Sequence, residues 1–146
     1  MQALNIIRLN ILSKPENIAI ARVTVATFIA QIDLTVDELE DIKVAVSEAI
    51  SNSIIHGYEN KNDQWIEIKV EKHSHSFIIT ISDQGKGIED IKKAMEPAFS
   101  SDPLRMGLGF VFMQSFMDEV EVISELGKGT IVKLVKKLAV VQGTPS

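Results

Sequence analysis

The sequence predicts an α+β fold, a two-layer α/β sandwich with helices on one face of a mixed, mostly antiparallel sheet. Apolar residues recur with helical spacing in most of the chain up to Gly57, and strand-like alternation takes over from Trp65 with one further helix between the strands. The 146 residues leave room for one domain with one core.

The first part of the chain is expected to form a strand and two helices. Residues 4–12 alternate well enough to be the strand. Ser13 then resembles a helix cap, with Pro15 at the first helical position and Glu16 three residues after the cap. The expected apolar stripe of this helix consists of Ile18, Ala21, Val25, Phe28, Ile29 and Ile32.

A second capping box at residues 35–38 predicts the start of the next helix, which should end at Gly57. Its apolar face comprises Leu39, Ile42, Val46, Ala49, Ile50 and Ile54. Residues 65–71 and 77–82 alternate on either side of a polar turn and are expected to form a β-hairpin.

The remaining elements are a loop, a helix and a second hairpin. Residues 89–106 lack a long periodic stripe beyond a short helix near 91–95, so we expect a lid. A helix should follow Gly109, with Phe112, Met113 and Phe116 facing inward. The second hairpin pairs 120–125 with 130–137, and the tail from about residue 142 is expected to be frayed.

The composition excludes several classes of protein. The net charge of -5 argues against a nucleic-acid-binding protein, because neutralising phosphates requires a basic face. The absence of cysteine excludes disulfides and thiolate metal sites. No segment approaches the ~20 apolar residues of a membrane span, and the N-terminus lacks an export signal. We therefore expect a cytoplasmic protein without direct contact to a membrane.

The first candidate site is the pair Glu48 and Asn52. The two residues are four apart and share a helix face away from the apolar stripe. A carboxylate there can accept a proton, and an amide oxygen is a hard ligand for Mg²⁺. A solvated polar helix face would have the same pattern, so the pair alone leaves both interpretations open.

The second candidate site is the segment Asp83–Ile88, which directly follows a strand. Gly85 and Gly87 allow close approach of a ligand to the backbone. A carboxylate at the strand end can accept a hydrogen bond from an exocyclic amine such as that of adenine. A strand-ending turn has the same composition and remains an alternative.

The third candidate site is Gly107–Phe110, between the expected lid and a helix. Free amides at a helix N-terminus favour phosphate, and Arg105 just before them could neutralise its charge. A glycine-containing helix start beside a solvated arginine is the alternative. Neither a Walker loop nor a dinucleotide fingerprint is present, since Asp90 and Phe112 occupy the third small position of the latter.

Together, the three segments resemble the N, D-x-G-x-G and G-x-G boxes of the ATPase domain shared by histidine kinases, DNA gyrase and Hsp90. The flanking segments Arg22–Phe28, Ser47–Ala49, Ile54–Tyr58 and Phe116–Val120 resemble the anti-sigma F factors of endospore formers. The resemblance covers residues 9–138 and implies the histidine-kinase-type ATPase fold. No phosphoacceptor-histidine helix pair precedes it, which argues against a self-phosphorylating histidine kinase.

The resemblance implies roles for individual residues. Glu48 would be the general base toward a substrate serine, and Asn52 would bind Mg²⁺. Asp83 would anchor the adenine amine with support from Thr130. The remaining ATP-binding residues would be Gly85, Gly87, Ile88, Arg105, Gly107, Leu108, Gly109 and Phe110. Ser53 departs from the Ala of many relatives, and we expect little consequence from this change.

The same resemblance implies a dimeric serine/threonine kinase that inhibits the sporulation sigma F factor and phosphorylates an anti-anti-sigma factor with ATP and Mg²⁺. A module that sequesters sigma without phosphotransfer and a stress-response anti-sigma kinase are the alternatives. Arg22 is either a solvated cation or a contact for one of these partners. His56, next to the helix stop, is interpreted as a capping residue.

Overall fold

A computed structural model describes residues 2–32, 34–95 and 106–138 of the chain. The strands are β1 (Asn5–Leu12), β2 (Trp65–Lys72), β3 (Ser76–Asp83), β4 (Glu119–Glu125) and β5 (Gly129–Lys137). The helices are α1 (Glu16–Ile29), α2 (Val36–Asn52), α3 (Ile91–Ala94) and α4 (Met106–Phe116). A π-helical turn (Ser53–Gly57), called the π-turn below, continues α2. Most of the expected lid, including Arg105, and the tail from residue 142 lie outside the described residues.

The five described strands form one sheet in the order β1-β2-β3-β5-β4. The predicted two-layer α+β sandwich is confirmed. The expected mixed character is not found, because all four strand pairings in the described sheet are antiparallel. Hairpins connect β2 to β3 and β4 to β5, and the helices lie in the longer connections. Of the described helices, none is long and apolar enough to cross a membrane.

One face of the sheet packs against the helices and forms the core. β3 shows the alternation most clearly, since Phe77, Ile79 and Ile81 are fully buried and the residues between them are not. The next inward position of β3 is Asp83, which is also buried. A carboxylate therefore occupies the last position in a row of apolar core side chains. At this end of β3 the core borders a polar site.

The start of α1 differs from the sequence prediction. Ser13 does not cap the helix, because Pro15 occupies the N-cap position without any side-chain cap. The Ser13 hydroxyl is instead fully buried, donates to the Lys61 carbonyl and accepts from the Gln64 amide. The long-range partners at the start of β2 compete successfully with the local cap. The expected stripe is otherwise confirmed, with Ala21 and Val25 buried.

The start of α2 follows the sequence prediction in detail. Thr35 Oγ1 accepts from the Glu38 amide, and the Glu38 carboxylate accepts from the Thr35 amide, each at 3.0 Å. These two bonds complete the predicted capping box. The helical run ends at Gly57 as expected, but its last residues form the π-turn.

α4 begins earlier than expected and in a different rotation. It starts at Met106, so the Gly107–Phe110 segment lies in its first turns and not ahead of it. Phe110, Met113 and Met117 are buried, whereas Phe112 is 38% exposed. The expectation that Phe112 faces inward is therefore wrong. Met113 and Phe116 do face the core, Phe116 being partly buried against it, and the exposed Phe112 ring stacks on Phe116 with centroids 6.1 Å apart.

The buried Ser13 hydroxyl gives a stability prediction. Ser13→Ala should lower the free energy of unfolding by about 1–3 kcal/mol, because the part-buried Lys61 carbonyl and Gln64 amide each lose a hydrogen-bond partner. Chemical denaturation of the variant measures the change. Ser115→Ala is the matched control, since that hydroxyl is exposed and bonds only to the Val111 carbonyl of its own helix. Equal stability of the two variants would contradict the assigned role of Ser13.

Candidate functional site

A cleft lies between the C-terminal end of α2, the start of α4 and the ends of β3 and β5. Its empty volume, including the part open to solvent, is about 310 Å³. The lining residues are Ala49, Asn52, Ser53, His56, Gly57, Asp83, Gly87, Ile88, Phe110, Thr130 and Val132. Apolar walls therefore surround a few polar groups, of which Asp83 is the most buried charged one.

Asp83 lies at the floor of the cleft, 6% exposed. The Gly85 amide donates to its Oδ1 at 2.9 Å. Burial raises the pKa of Asp83, whereas the Gly85 amide, the Ser53 hydroxyl and the Thr130 amide beside it act in the opposite direction. An ionised carboxylate has about four acceptor positions, so the hydrogen bond from Gly85 leaves acceptor positions for a donor from a ligand.

The π-turn holds the segment after Asp83 through backbone contacts. The Gly57 carbonyl accepts from the Lys86 amide at 2.9 Å. A Cβ on Gly85 would lie 2.2 Å from the Gly57 oxygen, and a Cβ on Gly57 would lie 3.0 Å from Asp83 Oδ1. Two glycines are therefore required for the two backbones to meet beside the carboxylate.

Tyr58, directly after the π-turn, adds a side-chain contact to the same segment. Its hydroxyl accepts from the Gln84 amide at 2.8 Å and donates to the Trp65 carbonyl. The side chain is 6% exposed, and burial raises its pKa. Tyr58 thus connects the end of β3 to the start of β2.

The β4–β5 hairpin fixes the other side of the segment. Gly87 has φ +78°, and a Cβ there would lie 2.2 Å from the Glu125 carbonyl oxygen. Ser124 Oγ accepts from the Ile88 amide at 2.8 Å and lies 2.7 Å from Thr130 Oγ1. The glycine segment is therefore enclosed between the π-turn and this hairpin.

Glu48 and Asn52 face the start of α4. A Cβ on Gly109 would lie 3.0 Å from Glu48 Oε2 and 3.3 Å from Asn52 Nδ2. Glycine at this position therefore lets α4 approach both side chains. Burial raises the pKa of Glu48. Neither residue lies on a fully solvated helix face, which was one interpretation of the sequence pattern.

Asn52 Nδ2 is an orphaned polar atom. Among the residues that the structure describes, it is the only buried side-chain nitrogen or oxygen without a hydrogen-bond partner. A buried amide in this state is unfavourable by roughly 1–3 kcal/mol unless a ligand provides partners. The amide nitrogen is a donor, so it fits a site that is completed by an acceptor, such as an oxygen atom of a bound ligand.

The structure brings most of the predicted residues to this cleft. Its lining includes Asn52, Asp83, Gly87, Ile88, Phe110 and Thr130. Gly85 lies behind the wall against Gly57, and Gly109 separates α4 from Glu48. Gly107 and Leu108 are in the first turn of α4, with Leu108 48% exposed.

Glu48 and Arg22 share a second feature, a groove between α1 and α2. Its lining residues are Arg22, Glu40, Lys43, Val44, Ser47 and Glu48. Lys43 is ion-paired with Glu40 at 3.1 Å within this groove. Glu48 therefore has the groove on one side and the Gly109 contact on the other.

Several residues of the site were not predicted from the sequence. Ser53, from which little consequence was expected, is buried and lines the cleft beside Asp83. His56 was interpreted as a capping residue and lines the cleft. Tyr58 and Ser124 had no recognisable signal, because their partners are distant backbone groups that only the fold brings together.

Comparison with known proteins agrees with this geometry. Residues 11–136 match the histidine kinase-like ATPase domain. The chain is 55% identical over 135 residues to an anti-sigma F factor of Clostridium botulinum (strain Eklund 17B / Type B), which covers 91% of this chain and 94% of that protein. It is 51% identical over 138 residues to an anti-sigma F factor of Thermoanaerobacter sp. (strain X514), covering 93% and 96% of the two chains.

Two solved structures share the fold at low sequence identity. The RsbU and RsbW domains of Rv1364c from Mycobacterium tuberculosis superpose with a TM-score of 0.67 at 17% identity, over 92% of this chain and 32% of that one. A chain of the SiaB–SiaC complex from Pseudomonas aeruginosa gives 0.65 at 12% identity, over 88% of each chain. Fold, site and sequence identity agree, and the chain belongs to the anti-sigma F factor family, whose members have a histidine kinase-like ATPase domain.

Proposed function

We propose that this protein is an anti-sigma factor and an ATP-dependent serine/threonine protein kinase. It would inhibit a sporulation sigma F factor and phosphorylate an anti-anti-sigma factor on serine. Membership of the family and the names of its relatives support the first role. The observation that carries the second role is the placement of Glu48 and the orphaned Asn52 amide together beside Gly109.

The base of the nucleotide would occupy the cleft. Asp83 has acceptor positions beyond the one that the Gly85 amide uses, which suits a donor such as the adenine amine. Thr130 lies opposite Asp83 in the pairing of β3 with β5, and its hydroxyl lies 2.7 Å from Ser124 Oγ. Ile88 and Phe110 provide apolar walls against the faces of the ring.

The phosphates would lie at the start of α4. The first four amides of a helix have no partner within the helix, and the helix dipole favours negative charge there. In α4 they include the amides of residues 106–108, which directly precede Gly109, the residue that faces Glu48 and Asn52. Arg105, just before them in the sequence, would neutralise charge on the terminal phosphate.

Asn52 is the residue that would hold Mg²⁺, through its side-chain oxygen. Mg²⁺ often takes only one or two protein ligands and completes its shell with phosphate oxygens and water. When bound, the ion neutralises phosphate charge and orients the terminal phosphate. The orphaned Nδ2 of the same side chain would donate to a phosphate oxygen, which supports a phosphate beside the ion.

Glu48 would act as the general base. It would accept the proton of the substrate's serine hydroxyl as the serine oxygen bonds to the terminal phosphorus of ATP and ADP leaves. Its raised pKa makes it a stronger base than an exposed glutamate. Positioning and charge stabilisation by the surrounding residues supply most of the remaining catalysis in phosphoryl transfer.

Partner binding would involve α1 and the groove beside it. Ile20 and Val23 are 58% and 57% exposed on the outer side of α1, and they flank Arg22. Exposed apolar residues around a cation are typical of interaction surfaces. We infer that Arg22 contacts the sigma factor or the anti-anti-sigma factor, and that the cytoplasmic protein acts as a homodimer.

The role of Glu48 predicts the outcome of Glu48→Gln. Transfer of labelled terminal phosphate from Mg·ATP to an anti-anti-sigma protein should fall by about 10²- to 10⁴-fold, while ATP still binds. Glu121→Gln, on the opposite face of the sheet, is the control. ATP binding without transfer in the unmodified protein would instead favour the sequestering module.

The raised pKa of Glu48 also predicts how Glu48→Gln changes the stability of the protein. The folded state holds this proton more tightly than the unfolded chain, so ionisation of Glu48 lowers stability above its ordinary pKa. Glu48→Gln should therefore raise the melting temperature at neutral pH. Phosphate transfer by the unmodified protein should also decline as the pH is lowered, because Glu48 becomes protonated. This decline should begin at a higher pH than it would if Glu48 had the pKa of an exposed glutamate.

The contact between Gly85 and Gly57 predicts the effect of Gly85→Ala. The added Cβ would meet a backbone oxygen at 2.2 Å, so the segment after Asp83 must shift. ATP affinity should fall by about 10²-fold, as displacements of about 1 Å can cause at such sites. Gly127→Ala is the control, since that glycine has φ +80° with no atom within 4 Å. It should reduce stability and leave ATP affinity unchanged.

The inferred role of Arg22 is tested with Arg22→Ala. Affinity for the sigma factor or the anti-anti-sigma factor should fall roughly 10-fold, the scale of an interface arginine. Arg8→Ala, which removes an exposed cation from the sheet, controls for net charge. Unchanged affinity for both partners would exclude Arg22 from the interface.

A further inference from the structure

A row of three polar side chains crosses the sheet at the floor of the cleft. In the strand pairing, Thr130 of β5 lies opposite Asp83 of β3 on one side and opposite Ser124 of β4 on the other. Two residues further into the sheet, Ile81 and Val132 are buried and apolar. The row therefore marks the end of the core, and Ser124 is the member to which the proposed binding of ATP gives no role.

Ser124 Oγ contacts three groups with different hydrogen-bonding capacity. The Ile88 amide lies at 2.8 Å and can only donate. The Gly129 carbonyl lies at 3.0 Å and can only accept. The Thr130 hydroxyl lies at 2.7 Å and can do either. A serine hydroxyl has one proton and two acceptor positions, so the carbonyl takes the proton and the amide takes one acceptor position.

This accounting fixes the direction of the hydrogen bond between the two hydroxyls. The single proton of Ser124 goes to Gly129, so all three contacts are hydrogen bonds only if the Thr130 hydroxyl donates to Ser124. The Thr130 oxygen then has only acceptor positions left. Thr130 is 8% exposed and lines the cleft, so a ligand in the cleft meets this oxygen as an acceptor.

We propose that Ser124 is a positioning residue that orients the Thr130 proton away from the ligand, so that the cleft selects a base with an exocyclic amine. With Thr130 oriented in this way, its hydroxyl and the Asp83 carboxylate both act as acceptors at the floor of the cleft. A purine amine can donate to them, whereas a carbonyl at the same ring position finds no donor there. The inference rests on the proposed binding of ATP and adds a residue that determines base specificity.

The test compares Ser124→Ala with Ser82→Ala in the full-length protein. Ser82 directly precedes Asp83 in β3 and lies on the opposite face of the sheet, so it controls for the loss of a strand hydroxyl. Calorimetric titrations use the magnesium complexes of three purine nucleotides. At the ring position in question, ATP carries an amine, inosine triphosphate a carbonyl and purine riboside triphosphate a hydrogen atom.

The unmodified protein should bind ATP most tightly and inosine triphosphate most weakly. In Ser124→Ala the Thr130 hydroxyl loses its acceptor and can turn its proton into the cleft. The preference for ATP over inosine triphosphate should therefore narrow roughly 3- to 10-fold, the size of one net hydrogen bond. Ser82→Ala should keep the original preference, and Ser124→Thr should keep it as well because it retains the hydroxyl.

A double variant shows whether Ser124 acts through Thr130. Thr130→Val removes the hydroxyl that Ser124 orients and should narrow the preference by a similar factor. Adding Ser124→Ala to Thr130→Val should change the preference no further, because side chains that act as one unit are not additive. A further narrowing would contradict the proposed relation. If Ser124→Ala does not fold, Ser124→Cys takes its place, since a thiol fills the same position and hydrogen-bonds weakly.

Three other results would overturn the inference while leaving the proposed function intact. The first is that the unmodified protein binds inosine triphosphate as tightly as ATP. The second is an unchanged preference in Ser124→Ala. The third is an equal loss of affinity for all three nucleotides, which would show that Ser124 only supports the wall of the cleft. Failure of the unmodified protein to bind ATP would overturn both the inference and the proposed function.

Discussion

The site depends on one backbone contact, between the π-turn and the segment that follows β3. Gly57 and Gly85 let the two backbones meet, and the Gly57 carbonyl accepts from the Lys86 amide at 2.9 Å. A regular α-helical end would place these residues in a different rotation, because a π-turn inserts one residue per turn. The contact positions the Asp83 carboxylate, places Ser53 in the same cleft and sets where the cleft lies relative to α2. A side chain at either glycine would separate the helix from the sheet at this point.

The polar groups of the site are held at a cost to folding. Asp83 continues a row of core side chains in β3, Glu48 is half-buried with a raised pKa, and the Asn52 amide lacks a partner. Each would be more stable as an apolar residue in the same packing. Their surroundings have a low dielectric constant, which makes these groups unfavourable without a partner. The same low dielectric constant strengthens their electrostatic interactions with a bound ligand. Close backbone neighbours keep these groups in place: Gly57 and the Gly85 amide lie against Asp83, and Gly109 of α4 lies against Glu48 and Asn52.

Local patterns predicted the elements well and the long-range contacts poorly. The Thr35–Glu38 capping box was recognisable because both partners lie within one turn. Ser13 carried the same local signal, but distant backbone groups at Lys61 and Gln64 take its hydroxyl. The rotation of α4 was missed because its start was placed after Gly109, which put Phe112 inward. The three glycine-containing segments identified most of the cleft, whereas Ser53 and Tyr58 act through contacts that depend on the π-turn, and helical periodicity does not reveal a π-turn.

α2 connects the two features that the proposed function requires. On one side its last turn gives Asn52 and Ser53 to the cleft. On the other side Lys43, Ser47 and Glu48 line the groove that reaches Arg22 on α1. Glu48 lies between the two, against Gly109 at the start of α4. A bound nucleotide would accept hydrogen bonds from the Asn52 amide and from the free amides of α4. It would therefore hold α2 in place, and α2 carries both Glu48 and one wall of the groove. Because packed helices shift as rigid units, the same contacts that bind phosphate can set the shape of the surface a protein partner meets.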